Sequence, residues 1–90
     1  MSDMQGLNVD QVRQYGTQLA QNQAEDIKGR ITTLKGQFSE LHWVGADKGL
    51  FEGRFDAEIM GVMNQLIGNM QKLGGDIVAQ ANEQEQASSK

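Results

Sequence analysis

The feature that most constrains this chain is a pair of apolar stripes with helical spacing, separated by a short central break. In the first half, apolar residues step by four, three, four and three positions: Ile27, Ile31, Leu34, Phe38 and Leu41. In the second half they step in the same way, through Ile59, Met63, Leu66, Met70, Leu73 and Ile77. This spacing keeps side chains on one face of an α-helix. Because the chain also has no proline, the sequence predicts two long helices.

The break between the stripes, residues 42–47, predicts a tight reversal. It holds the only tryptophan, Trp43. Gly45 can adopt a positive φ and close the first helix, and Asp47 suits the start of the second. A connection this short makes the helices antiparallel neighbours. We therefore predict an all-α hairpin: helix 1 at about 8–42 with Asn8 as its N-cap, a turn at about 43–46, helix 2 at about 47–84 and a frayed tail at 85–90.

The second stripe is too wide for one partner helix. Phe55, Met60, Val62 and Ile67 broaden it to roughly 160°, at about 100° per residue. Such a width is typical of a helix with two neighbours in a four-helix bundle. A 90-residue chain without cysteine also has difficulty burying enough surface alone. The hairpin is therefore predicted to dimerise through a core and interface formed by Ile27, Ile31, Leu34, Phe38, Leu41, Phe55, Ile59, Met63, Leu66, Met70, Leu73 and Ile77.

Small residues leave two questions open at this stage. Upstream of Ile27 the first stripe thins to Val12, Gly16, Leu19, Ala20 and Ala24. These residues either let a neighbouring helix approach closely or mark a weaker, more mobile end. Glycines also recur every seven residues opposite the two stripes, at Gly29 and Gly36 and at Gly61, Gly68 and Gly75. They form either a tolerant solvent face or a surface for close approach of a third partner.

Composition argues against several classes of function. The net charge is −4, and no basic stripe could neutralise phosphates, so nucleic-acid binding is not expected. No apolar run is long enough for stable membrane insertion, and the start lacks the regions of a signal peptide. One histidine and no cysteine make a metal or cofactor site unexpected. The serines and His42 form no nucleophile–base constellation, so we expect no enzyme.

The central Trp43-Val44-Gly45 tripeptide, the chain length, the two helical halves and the absence of Cys and Pro together resemble the WXG100 (ESAT-6-like) family. The resemblance covers the whole chain. It implies a helix–turn–helix hairpin that dimerises into an antiparallel four-helix bundle. It also implies synthesis in the cytoplasm and export, without a cleaved signal peptide, by the type VII (ESX) secretion system.

In that family the W-x-G turn of one subunit lies beside the C-terminal tail of its partner, and together they form a composite signal for the secretion ATPase. The resemblance places this motif at Trp43 and Gly45. Trp43 would then contact the partner's tail or the ATPase, or it would only plug the end of the bundle.

The chain departs from the family pattern in its tail. The family's tail signal is Tyr, any three residues, then Asp or Glu. The only tyrosine here is Tyr15, near the other end, and Leu19 stands four residues after it. A heterodimer in which another WXG100 protein supplies the signal is therefore favoured over a homodimer. The alternative function is a cytosolic adaptor or chaperone that pairs with a larger type VII substrate or toxin.

Overall fold

The chain folds into two long helical arms. The computed structural model describes residues 3–88, with side chains described from 8 to 87. The first arm, residues 3–39, consists of α1 (Asp3–Thr17), a π-helical segment π1 (Gln18–Gln23) and α2 (Ala24–Ser39). The second arm, residues 47–88, consists of α3 (Asp47–Phe55), a second π-helical segment π2 (Asp56–Met60) and α4 (Gly61–Ser88). The arms pack side by side in a rod of 68 × 16 × 16 Å. The all-helical prediction is confirmed, and within the described residues there is no strand.

The bounds of the helices differ from the predicted ones. The first arm begins at Asp3, so Asn8 lies inside the helix and not at its N-cap. It ends at Ser39, and residues 40–46 make the turn. The second arm continues to Ser88, through most of the tail predicted to fray, while residues 89 and 90 lie outside the described range. The helices can extend here because the chain contains no proline, which would remove a helical hydrogen bond.

The seam between the arms repeats every seven residues. In the first arm its members are buried or half-buried at Val9, Gly16, Ala24, Ile31 and Phe38. In the second arm they lie at Phe55, Met63, Met70 and Ile77, with Gly74 and Ala81 buried beside them. A repeat of seven is the spacing that keeps two helices in contact along their length.

Each π segment absorbs one extra residue in this repeat. The seam advances by eight, not seven, between Gly16 and Ala24, across π1. It again advances by eight between Phe55 and Met63, across π2. A π turn accommodates one additional residue within a helix, so the seam stays between the arms. The π1 segment therefore keeps Val9 and Gly16 in the seam, although they are offset by one residue from the repeat of Ala24, Ile31 and Phe38.

The arms approach most closely at Gly16 and Gly74. A Cβ on Gly16 would lie 2.7 Å from the carbonyl oxygen of Gly74. A Cβ on Gly74 would clash with the carbonyl oxygen of Gly16, and would lie 2.8 Å from the Cβ of Ala20. Ala24 is fully buried in the same stretch. The small residues upstream of Ile27 therefore serve close helix approach.

Arg13 links the two arms near the free ends of the hairpin. Its guanidinium donates to Asn82 Oδ1 at 2.9 Å and to Glu85 Oε1 at 2.6 Å on the second arm. It also donates to Asp10 Oδ1 at 2.8 Å, one turn earlier on its own helix. Together with the glycine contact, these bonds hold the free ends of the arms together.

Large apolar side chains remain exposed or half-buried along a second stripe on each arm. Most of its members follow a seam residue by three positions, which is about 60° of rotation on an α-helix. Because the arms are antiparallel and face each other, the same rotation brings both stripes to one broad side of the hairpin. Residues from both arms accordingly line the same hollow there: Tyr15, Leu19 and Ile27 with Met70. We call this side the open face; its stripe is Val12, Leu19, Ile27, Leu34 and Leu41 on the first arm and Phe51, Ile59, Leu66 and Leu73 on the second.

The heptad-spaced glycines lie on the side of each arm that faces away from the other arm. A Cβ on Gly29, Gly36, Gly68 or Gly75 would meet nothing within 4 Å, and one on Gly61 only the Asp56 carbonyl oxygen at 3.8 Å. Within the hairpin these glycines therefore face open space.

Candidate interaction site at the turn

The turn is held by backbone bonds and by one lysine from the second arm. Glu40 and Leu41 donate backbone N–H bonds of 3.1 Å to Gly36 O and Phe38 O, and Trp43 donates one of 3.0 Å to Leu41 O. Lys48 Nζ reaches back to Ser39 O at 2.8 Å and to Leu41 O at 3.1 Å. The bond to Ser39 O satisfies a carbonyl at the C-terminus of the helix, and the charge of Lys48 suits the negative end of the helix dipole.

Gly45 makes the reversal possible. Its φ is +129°, and among the described residues it is the only one with a positive φ. This region of backbone space is strained for residues with a Cβ. The prediction that Gly45 takes a positive φ is confirmed, and it explains why glycine stands two residues after Trp43.

Trp43 belongs to a cluster of four aromatic rings drawn from both arms. It stacks on Phe51 with centroids 5.6 Å apart, and lies 6.1 Å from Phe38. Phe38 in turn lies 6.2 Å from Phe55. Offset and tilted pairs at these separations are favourable. The cluster therefore ties the turn to the last helical turn of the first arm and to the beginning of the second arm.

The aromatic cluster is only partly closed. Trp43 is 39% exposed, and Val44 beside it is 96% exposed. The rings surround an open hollow of about 360 Å³, completed by Arg54, Glu58 and Ile59. Exposed apolar surface that is grouped in this way is typical of sites that bind another protein. The hollow continues into the open face through Phe51 and Ile59.

A charge pair borders the hollow. Arg54 donates to Glu58 Oε2 at 2.7 Å and to Oε1 at 3.1 Å, and its guanidinium carbon lies 5.6 Å from the centroid of the Phe51 ring. The hydrogen bond from Arg54 holds the pKa of Glu58 below its ordinary value, and the same bond raises the pKa of Arg54. Both side chains are thus fixed in their charged forms at the edge of an apolar surface.

The predicted core and interface residues separate into two groups. Six lie in the seam, where they are buried or half-buried: Ile31, Phe38, Phe55, Met63, Met70 and Ile77. Five are exposed on the open face: Leu34, Leu41, Ile59, Leu66 and Leu73. Ile27 also belongs to the open face, where it is half-buried beside the hollow that it lines with Tyr15 and Leu19. The hairpin by itself thus uses only part of the predicted set.

Sequence reasoning missed three residues of the turn site: Lys48, Phe51 and Arg54. A signal for Phe51 was present, since it precedes Ile59 by eight residues, the step that a π segment introduces. Lys48 and Arg54 carried no such signal because their contacts depend on how the turn folds.

Other kinds of site are not seen in the part of the chain that the structure describes. Residues 3–88 bring together no group of three His, Asp or Glu side chains able to hold a metal ion. Over the same residues no helix is both apolar and long enough to cross a lipid bilayer.

Comparisons with known proteins identify no family to which the chain can be assigned. No family model matches the chain, and no significant match is found among curated proteins or solved structures. The resemblance to WXG100 proteins therefore rests on the residues of this sequence alone.

Proposed function

We propose that this chain is a small non-enzymatic protein that pairs its open face with a second helical hairpin and is exported in that form by a type VII secretion system. The open face is the observation that carries the pairing. Among residues 8–87, only Val9, Ala24, Met63 and Ala81 are buried apolar side chains, while twelve large apolar ones are exposed. A chain of this size is stabilised mainly by apolar burial, so a second hairpin on the open face completes a core that one hairpin leaves unfinished.

The part of the proposal that concerns export is supported by the structure of the turn. Trp43 is partly exposed, lies at the rim of a hollow, and is followed by a glycine whose backbone only glycine adopts easily. Such a ring can contact a partner's tail or the secretion ATPase while it stays anchored on Phe51 and Phe38. The W-x-G turn thereby forms one half of a composite signal, and the partner supplies the other half.

The pairing is tested by measuring the mass of the protein in solution together with its helical content. At micromolar concentration, light scattering should give twice the mass of one chain. Replacing Leu34 and Leu66 by serine should reduce association strongly, because both side chains are on the open face and outside the seam. Replacing Thr32 and Gln71 by serine is the control, because both residues are exposed and polar and each follows a seam residue by one position, which places it on the opposite side of the hairpin. This double variant should associate normally. A fully folded monomer of the natural chain would contradict the pairing.

The export role is tested at the turn. Trp43→Ala should lower the amount of protein in the culture supernatant while the paired mass persists. Val44→Ala is the matched control, because Val44 is the neighbouring residue and is 96% exposed. Equal export of the two variants would remove Trp43 from the signal.

The exposed apolar side chains of the open face also support a second candidate, a cytosolic adaptor that pairs through this face with a larger secreted protein. Both candidate functions require the open face, but they predict different locations for the protein. Protein retained in the cytosol of a secreting strain, in complex with a longer chain, would favour the adaptor.

A further inference from the structure

Lys48 occupies the seam position nearest the turn. It stands seven residues before Phe55, which is the repeat of the seam, and its side chain is half-buried. Whereas the seam from Phe55 to Ile77 packs apolar side chains, this position sends an ammonium group across to the first arm, where it bonds to Ser39 O at 2.8 Å. A charged group therefore replaces apolar packing at the point where the first helix ends.

The second bond of Lys48 reaches the backbone of the turn itself. Its Nζ lies 3.1 Å from Leu41 O, and the backbone N–H of Trp43 donates to the same oxygen at 3.0 Å. A carbonyl oxygen has two lone pairs and can accept both bonds at once. The bond from Trp43 closes a three-residue γ-turn. Lys48 therefore holds the peptide group to which the backbone of Trp43 is bonded.

The same helix also holds the ring of Trp43. The ring stacks on Phe51 with centroids 5.6 Å apart, and Phe51 follows Lys48 by three residues. Residues three apart are neighbours on the surface of a helix. The beginning of α3 therefore fixes Trp43 at two points, its ring through Phe51 and its backbone through Lys48.

The bonds of Lys48 matter more for the shape of the turn than for the stability of the arms. Ser39 and Leu41 are exposed, so without the ammonium group their carbonyl oxygens can bond to water, and folding loses little. Residues 42–44 belong to no helix, and the two bonds to Leu41 O restrict their conformation. Removing one bond lets these residues sample other conformations. Binding that requires one conformation then weakens in proportion to its population.

We propose that Lys48 is a positioning residue of the turn site, which fixes the direction in which Trp43 is presented to a partner. This inference rests on the proposed function, in which Trp43 is part of an export signal, and it adds a residue outside the Trp-x-Gly tripeptide. Lys48 acts through the Leu41 peptide group and not by contact with the partner. Its loss therefore weakens the signal more than it weakens the hairpin.

Lys48→Met tests this role, because it keeps a long side chain in the seam but removes the ammonium group. Trp43 is the only tryptophan, so quenching of its fluorescence by acrylamide reports on the turn directly. We expect stronger quenching than in the natural chain. We also expect about fivefold less protein in the culture supernatant, the change produced by losing one hydrogen bond of typical strength. The melting temperature and the paired mass should stay close to the natural values.

Two further variants serve as controls. Lys48→Arg keeps the charge and the hydrogen-bond donors, so its quenching and export should be close to those of the natural chain. Lys72→Met removes the same charge from an exposed residue of α4, where Lys72 is paired with Asp76 one helical turn away. Because this pair is remote from the turn, Lys72→Met should be quenched and exported like the natural chain.

Stronger quenching and reduced export in Lys48→Met, with both close to natural in Lys48→Arg, support the inference. Reduced export with unchanged quenching would mean that Lys48 contacts the partner itself. A melting temperature well below that of Lys72→Met would mean that Lys48 belongs to the core of the hairpin. Either result overturns the inference, as does a Lys48→Arg variant that behaves like Lys48→Met.

The variants of Trp43 separate this inference from the proposed function. If Trp43→Ala lowers export but Lys48→Met does not, the inference is overturned and the proposed function stands. If Trp43→Ala and Val44→Ala are exported equally, Trp43 is not part of a signal. The proposed export role then fails, and the role of Lys48 in it fails as well.

Discussion

The two ends of the hairpin are held together in different ways. Near the free ends, backbones touch at Gly16 and Gly74, and Arg13 bonds to Asn82 and Glu85. Near the turn, the arms are separated by aromatic rings that stay partly exposed. The free ends therefore use small residues to close contacts within the chain, whereas the turn end presents large side chains to its surroundings. This difference is consistent with the proposed function, in which the turn end contacts a partner.

Deleting one residue should have the largest effect on the stability of the hairpin. The size of this effect should depend on where the deleted residue lies. Removing Gln71 from α4 rotates everything beyond it by about 100° and takes Gly74, Ile77 and Ala81 out of the seam. We expect loss of the folded hairpin by circular dichroism. Removing Ala57 from π2 instead restores a step of seven residues and should leave the helicity and melting temperature close to those of the natural chain. Equal loss in both deletions would show that the π segments do not set the register.

Adding a Cβ at the contact between Gly16 and Gly74 should have the next largest effect on stability. Gly74→Ala puts a Cβ against the Gly16 carbonyl oxygen, which is backbone and cannot move aside without shifting the arm. We expect a loss of about 2 kcal/mol in the free energy of unfolding, measured with urea. Gly75→Ala is the adjacent control in open space, and it should gain about 1 kcal/mol from helix propensity. A loss at Gly75 instead would mean that another protein surface covers that side.

Truncating the aromatic cluster should have a smaller effect on folding. Phe51→Ala removes the ring stacked on Trp43, and Phe51 is already 38% exposed. We expect a loss of about 1 kcal/mol in the free energy of unfolding, together with a larger change in the exposure of Trp43 followed by its fluorescence. A loss as large as that of Gly74→Ala would mean that the turn end is as much a part of the hairpin core as the free ends.

The smallest expected effect is on the pH dependence of stability, through the charge pair at the turn end. The pKa of Glu58 is lowered by its hydrogen bond with Arg54, so its contribution to stability is full above the ordinary glutamate pKa and disappears as the pH falls through the lowered value. Glu58→Gln should therefore lower the melting temperature slightly at about pH 7, and the difference should vanish at about pH 2. A difference that is constant over this range would exclude the charged pair as its cause.

Much of the architecture could be predicted because it depends on local patterns. The four-three steps from Ile27 to Leu41 and from Ile59 to Ile77 identified both arms, and Gly45 identified the reversal. The helix ends were less predictable, since Asn8 resembles an N-cap but the chain upstream continues the helix. The turn site was found only in part: Trp43 and Gly45 stand out in the sequence, whereas Lys48 acts through carbonyls that are brought near it only by the folded turn.

The sequence by itself determined that this protein is two amphipathic helices joined by a glycine-containing turn, because helix period and glycine backbone freedom are local properties. Only the tertiary structure decided which apolar residues face the other arm and which remain exposed. That division depends on the closest approach at Gly16 and Gly74 and on the π segments, which rotate each stripe relative to the other arm. A stripe of apolar residues gives the direction of a helix face, but the distance and rotation between two helices are set by the contacts across the seam.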